Sequence, residues 1–416
     1  MSTSPAQRPY RPDPGGGCPH AANAALLART TVTDVVLPGE IRGMMVLGHE
    51  TLKEFLSRTD VAKSPAHFTA LREGRIPEGW PLLAFAVTPG MLTSDGEQHR
   101  RLRSLVSKAF TARRVDSLRP RVEAITAELL DGLAEAAGSA GGGAVDLRAH
   151  YAMPLPMSVI CELFGVDPEF RRRLHELSHL VVSTSISPAD AVAAGQELIA
   201  VLGTVVARRA DRPGDDLTSA LIATRAEDGD RLTEQELIGT LVLFVIAGHE
   251  TTLNLITNAV RALCADRSQL ELVRSGAAGW MDVVEETLRW DSPVSYFPFR
   301  YPVGDIDVDG TLIPRGTPVL AGYSAAGRDP SAHGPDAGRF DVLRPSRPGA
   351  ARHLSLGHGA HFCLGAPLAR MEAAVALRAL FERFPGLEPA VAAAELPRHT
   401  SFVGNSVERL PVRLGS

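Results

Sequence analysis

Cysteine is scarce in this chain, and the cysteines present do not pair. Cys18, Cys161, Cys264 and Cys363 are scattered along 416 residues. None falls in the close Cys-x-x-Cys spacing that zinc sites favour, and the scatter does not suggest a disulfide framework. A reducing, cytoplasmic setting is expected. Aromatic residues make up only 5% of the chain, so no single side chain announces itself as a recognition element. Net charge is -5, which supplies no global basic field for nucleic acid. The longest apolar run near the middle, Leu241 to Gly248, falls far short of the ~18 residues of a membrane span. The opening stretch, Met1 to Pro19, lacks the apolar segment of a signal peptide. What remains is a chain 44% hydrophobic and 22% charged, long enough for a large buried core. Residues 1–22 are expected to form a flexible arm and 23–416 a single catalytic domain.

The residues that stand out begin near the end. Ser355-Leu356-Gly357-His358-Gly359-Ala360-His361-Phe362-Cys363-Leu364-Gly365-Ala366-Pro367 predicts a glycine-loosened loop delivering one cysteine to the start of a helix. Leu368, Met371, Val375, Leu377 and Leu380 then recur at helical spacing, and Pro367 suits a first turn. Cys363 is therefore expected at the positive end of a helix dipole, which favours thiolate. Gly357, Gly359 and Gly365 allow close approach to a bulky group. A thiolate offered to a large planar ligand suggests cysteine-ligated haem. Two other readings stay open: a buried structural cysteine, or a zinc cluster of His353, His358, His361 and Cys363.

In mid-chain, Thr233 and Glu236 form a capping-box signature. The helix they open is predicted to run to about Ala265, roughly 32 residues or ~48 Å. Inside it lies Ala247-Gly248-His249-Glu250-Thr251-Thr252. Gly248 costs about 1 kcal/mol in a helix interior, and Glu250 is a carboxylate in an apolar segment. Such violations mark candidate functional positions. Elsewhere, His99 and Arg103 share a helix face four apart, and Glu286 and Arg289 lie three apart. As bare patterns, both are most often surface features.

Together these stretches resemble the cytochromes P450. The cysteine loop matches that family's Phe-Gly-x-Gly-x-His-x-Cys-x-Gly except at its first position, where Leu356 stands for Phe. Ala247 to Thr251 matches the oxygen-binding motif, and Glu286 to Arg289 matches Glu-x-x-Arg. The resemblance spans about residues 30–414. It implies a mainly α fold with a small β region and a long central helix over haem b, with Cys363 as the axial thiolate ligand. It implies that His99, Arg103, Arg300 and His361 hold the haem propionates, with Gly357, Gly365 and Leu356 completing the cofactor loop. Ala247 and Gly248 would make room for dioxygen, while Thr251 and Glu250 deliver protons. Glu286 and Arg289 would lock the core behind the haem, with Arg339 as the expected third member.

By the same resemblance, the irregular stretch 64–89 covers the substrate pocket, making Phe68, Trp80, Leu83 and Phe85 candidate walls. Val294, Ser295, Phe297 and Phe402 join them from later strands. Helices around 168–183 and 188–209 would lid the pocket. The similar soluble actinobacterial enzymes oxidise macrolides, steroids and other secondary metabolites. The expected reaction is O2-dependent hydroxylation or epoxidation of a hydrophobic small molecule. Electrons are expected from ferredoxin and its reductase, docking on basic residues such as Arg113, Arg114 and Arg352. Oxidative coupling of aromatic substrates and a non-catalytic haem-binding role are the alternatives. No nucleic-acid or membrane partner is expected. Gly327, which replaces the family's Asn before Arg328-Asp329-Pro330, is read as a surface-turn exchange without consequence.

Overall fold

The computed structural model describes residues 8–13, 15–139, 141, 143–182, 187–224, 229–398 and 400–415. The first hairpin forms where alternating residues and the Pro38-Gly39 break predict it. Strand β1 (Val32–Leu37) pairs antiparallel with β2 (Ile41–Val46), Val32 opposite Val46. Gly39 sits at φ 71°, a turn conformation glycine reaches without penalty. The sheet is completed from far away in sequence: β3 (Val61–Ala62), β4 (Phe297–Pro302) and β5 (Val319–Ala321) give the order β1-β2-β5-β4-β3. β2 and β5 run parallel, Met44 beside Val319.

Helices make up the rest of the framework. The first are α1 (Pro19–Leu27), α2 (His49–Ser57), α3 (Gly96–Ala109), α4 (Ala112–Ser139) and α5 (Pro154–Phe164). They are followed by α6 (Pro168–Val182), α7 (Pro188–Asp211), α8 (Glu234–Ala265), α9 (Trp280–Trp290) and α10 (Ala366–Arg383). α8 is the 32-residue helix expected. Thr233 accepts from the Glu236 N–H at 3.2 Å, and Glu236 accepts from the Thr233 N–H at 2.9 Å, closing the capping box. Its length and composition would suffice to cross a membrane, yet it packs against α5, α7, α9 and α10. Its second half, from Thr252 to Val260, is buried without a break. A helix buried on most sides needs no polar face. The pair α6 and α7 lies against each other and against α8, as the lid reading requires. Position 183, the last of the first lid stretch, lies outside the described residues.

The N-terminal segment is a correction. Most of residues 8–22 is docked rather than a free arm. Tyr10 exchanges backbone hydrogen bonds with Asp34 and Val36, both 2.9 Å, and Arg11 grips Glu40 through two contacts of 2.7 and 2.8 Å. α1 straddles the expected boundary at residue 22. His20 meets Asp291 at 2.8 Å, and buried Asn23 bonds Ser324 and Tyr296. Residues 1–7 lie outside the described residues.

Candidate active site

The cysteine loop is fixed before any ligand is considered. The Cys363 N–H donates to the Leu356 carbonyl at 2.8 Å, closing the turn. Ser355 Oγ bonds the Leu288 carbonyl on α9, and Arg103 Nη2 on α3 donates to the Phe362 carbonyl at 2.7 Å. Leu356 packs, partly buried, against the helical core. Gly357 and Gly359 take φ 77° and 71°. A Cβ on Gly359 would stand 2.8 Å from the Leu56 carbonyl, so this glycine admits α2, not a ligand. At Gly365 the nearest neighbour to such a Cβ is the Cys363 sulfur at 3.9 Å, leaving that side of the sulfur open.

Cys363 sits at the start of α10 as expected, but the expected thiolate preference is only partly present. Burial raises the thiol above its ordinary value. Hydrogen bonds to the sulfur from the Gly365 and Ala366 N–H groups and the charges of Arg103 and Arg370 pull it down without overcoming burial. A metal cation at the sulfur would displace the proton outright. The zinc reading finds no support: among the described residues no group of three or more His, Cys, Asp or Glu could hold a metal ion.

Four predicted side chains converge beside the loop. The rings of His99 and His361 lie 4.0 Å apart between centroids. His99 is buried with Nε2 lacking a partner. Arg300 on β4 is 8% exposed, and burial lowers its pKa. His361 is driven down to about 2 by burial first, then by His99, Arg300, Lys63 and Arg103. Among the described residues no carboxylate bonds the buried Arg300, and a buried guanidinium calls for an anion. An orphaned histidine nitrogen, Arg300 and a cysteine at a helix start fit one ligand carrying carboxylates on its edge and a cation at its centre. Haem has that distribution of charge.

α8 carries the second group of predicted residues. Ala247 is exposed although it lies in mid-helix, so it faces a cleft. Thr251 Oγ1 donates to the Ala247 carbonyl at 2.6 Å, a back-bond that loosens the helix there. At Gly248 a Cβ would approach Ile160 Cδ1 of α5 at 3.2 Å, a tight contact with the tip of that side chain. His249 bonds the Met153 carbonyl at 3.0 Å and Ser178 at 3.2 Å, fixing the turn that carries Glu250. Beside Glu250 lies Arg148, 4% exposed, its Nη1 bonded at 2.8 Å to Asn254 one turn further along α8. Burial lowers the Arg148 pKa to about 10, and the charge of Glu250 opposes that fall. The sequence offers no local signal for this arginine, because it arrives from the segment before α5.

Behind the loop, Glu286 and Arg289 form the expected buried pair, with contacts of 2.6 and 2.8 Å. The third member is Arg344, not Arg339: Arg344 Nε stands 3.4 Å from Glu286. Arg339 is exposed and contributes only its carbonyl, to Arg289 at 2.9 Å. Gly327 is also no surface turn. It is buried, its carbonyl accepts from Arg289 at 2.6 Å, and a Cβ there would fall 2.0 Å from the Arg289 carbonyl. Only glycine fits.

Among the candidate walls, Phe68 and Trp80 prove to be core. Phe68 stacks on Tyr301 at 5.1 Å and Trp80 on Phe299 at 5.6 Å, while Trp80 Nε1 bonds the Pro38 carbonyl. Leu83 and Phe85 are partly buried against that cluster. Ser295 is buried, its N–H donating to the Val403 carbonyl at 2.7 Å, and Val294 pairs with Gly404. The 401–405 segment therefore meets 294–295, and Phe402 is buried. Phe297 stacks on Tyr323 at 6.2 Å.

The family model for cytochrome P450 matches residues 280–403. 2-Hydroxy-5-methyl-1-naphthoate 7-hydroxylase of Streptomyces carzinostaticus is 40% identical over 407 residues, 98% of this chain and 97% of that one. The chain belongs to the cytochromes P450. The 6-deoxyerythronolide B hydroxylase of Saccharopolyspora erythraea is 38% identical over 94% of this P450 and 95% of its own length. The solved structure of CYP154C4 from Streptomyces sp. W2061 superposes with a TM-score of 0.91 at 42% identity, covering 98% of both chains. This P450 is accordingly an oxidoreductase of the monooxygenase type. Its family works with haem.

Proposed function

We propose that this P450 binds haem b through Cys363 and oxygenates a polyketide, macrolide or steroid skeleton in the cleft beneath Ala247 and Thr251. The observation that carries the reading is the half-buried cysteine at a helix start beside the orphaned His99 nitrogen and the buried Arg300. Haem bound there supplies the iron at which dioxygen is reduced and one of its atoms passed to a C–H bond. His99, Arg103, Arg300 and His361 hold its carboxylates. The Thr251 hydroxyl, already placed by the Ala247 carbonyl, holds a proton at the cleft. Glu250, on the next position and beside Arg148, resupplies it. Glu286 and Arg289 keep α9 fixed behind the loop.

Electrons enter from ferredoxin on the face below the cysteine. There Arg100 and Arg103 line a surface concavity of about 410 Å³ with Gly359 and Ala360, and Phe362 is 40% exposed. The cell compartment consistent with this supply is the cytoplasm. The test is Thr251→Ala with ferredoxin, reductase and labelled O2. Wild type should place one labelled oxygen atom in the product. The variant should keep consuming O2 while product per electron falls about tenfold or more and peroxide rises. A product that has only lost hydrogen would favour oxidative coupling, and unchanged product per electron would remove Thr251 from proton delivery.

A further inference from the structure

Lys63 is the most deeply buried ammonium that the proposed roles leave unused. It follows β3 directly and is 3% exposed. Its Nζ makes one long hydrogen bond, 3.3 Å to the Pro298 carbonyl, and lies 4.9 Å from the centroid of the Phe297 ring. Among the described residues no carboxylate bonds it. Asp95 acts on it only at a distance, because its two oxygens accept from the Lys63 and Ser64 N–H groups at 2.8 and 2.7 Å.

Lys63 also has the wrong neighbours for a structural cation. The Arg300 guanidinium lies close enough to disfavour the ammonium, and Lys63 in turn acts on His361. Lys63, Arg300, His99, Arg103 and His361 thus crowd one region around a single acid, Asp95. Removing an ammonium from water costs several kcal/mol unless an anion meets it. A lysine kept there for packing alone could be an apolar residue without that cost. The crowding makes sense if two further negative charges enter the same region.

We propose that Lys63 is an additional anion-binding residue for the cofactor, taking the haem carboxylate on the Arg300 side. This rests on the haem reading above. The second cation, held by a single backbone carbonyl, gives that carboxylate a point charge alongside the guanidinium fork. β3 is pinned next to β4 through Val61 opposite Pro302, so the two cations are held in register by the sheet. Lys63 is a positioning residue for the cofactor, not a participant in oxygen chemistry.

The test compares wild type, Lys63→Met and Lys63→Arg as reconstituted holoenzymes. Three quantities are read: the reduced CO spectrum, the rate of haem transfer to excess apomyoglobin, and the Fe(III)/Fe(II) potential. Lys63→Met should keep the thiolate CO band, lose haem roughly tenfold faster, and move to a more negative potential. The sign follows because a lost positive charge no longer favours the added electron. Lys63→Arg should restore both values toward wild type. If Lys63→Met does not accumulate, Lys63→Gln carries the same comparison with the charge removed and a polar tip retained. An intact CO band with unchanged haem loss and potential would overturn the proposal. A wild type without a thiolate CO band would instead overturn the haem reading itself.

Discussion

At the scale of single residues, the chemistry depends on partners that come from remote parts of the chain. Arg148 is the clearest case. It is buried, bonded to Asn254 and electrostatically coupled to Glu250, so it favours the ionised form of that acid. Arg148→Met should therefore move the pH dependence of product formation per electron to higher pH by about one unit. An unshifted profile in steady-state coupling assays would separate Arg148 from the proton path. Cys363, Glu250 and Thr251 were legible because each sits inside a short motif whose local cost or spacing shows in sequence. Arg148, Arg344 and Lys63 were not. Each reaches its partner from outside the stretch that carries the motif, and only the path of the chain brings them together. The choice of Arg339 failed for that reason: two arginines five positions apart are equivalent until the 336–344 turn directs one inward.

At the scale of elements, α9 joins the cysteine loop to the core through adjacent acids. Glu286 binds Arg289 and Arg344 in full burial. Arg344→Ala leaves the His333 carbonyl without its donor and takes one of two cations from Glu286, so it should cost about 1–3 kcal/mol, whereas Arg339→Ala should stay within about 0.5 kcal/mol. Urea denaturation of both variants distinguishes them, and equal losses would restore Arg339 as the third member.

Glu285, on the same helix, meets His353 at 3.2 Å and Arg370 of α10. Burial pushes its carboxyl up, but the bonds and charges of His353 and Arg370 outweigh it and bring it down to about 2. A depressed carboxylate stabilises the fold above its unfolded value of about 4.3 and loses that contribution as pH falls toward 2. Glu285→Gln should therefore be about 1–3 kcal/mol less stable at pH 6, with the gap narrowing by pH 3. A gap of the same size at both pH values would contradict this account. The strong helices were readable from caps and periodicity, α8 most of all. The 64–89 stretch was not. Its prolines and glycines cut it into short turns at Pro65–His67, Thr69–Arg72 and Leu83–Val87, whose aromatic residues pack by tertiary contact.

At the scale of the whole molecule, the buried apolar residues among those described fall into three clusters. The helical core surrounds α8 and α10, while the smaller aromatic core lies under the five-stranded sheet. The joins between them are long-range: β2 with β5, and α1 with Tyr296 and Asp291. Such pairings explain why the docked N-terminal segment escaped sequence reading. A Pro- and Gly-rich composition suggests a free arm, and nothing local reveals that Asn23 will be buried against residue 324. Thr251 lies on α8 and Cys363 just before α10, both helices of the helical core, and the central claim rests on what that cysteine holds. The decisive measurement is the difference spectrum of the reduced protein with CO, for wild type and Cys363→Ala. Wild type should show the red-shifted Soret band of a thiolate-ligated haem, and the variant should lose it. A wild type without that band, or a band that survives loss of Cys363, would contradict the assignment of Cys363 as the iron ligand.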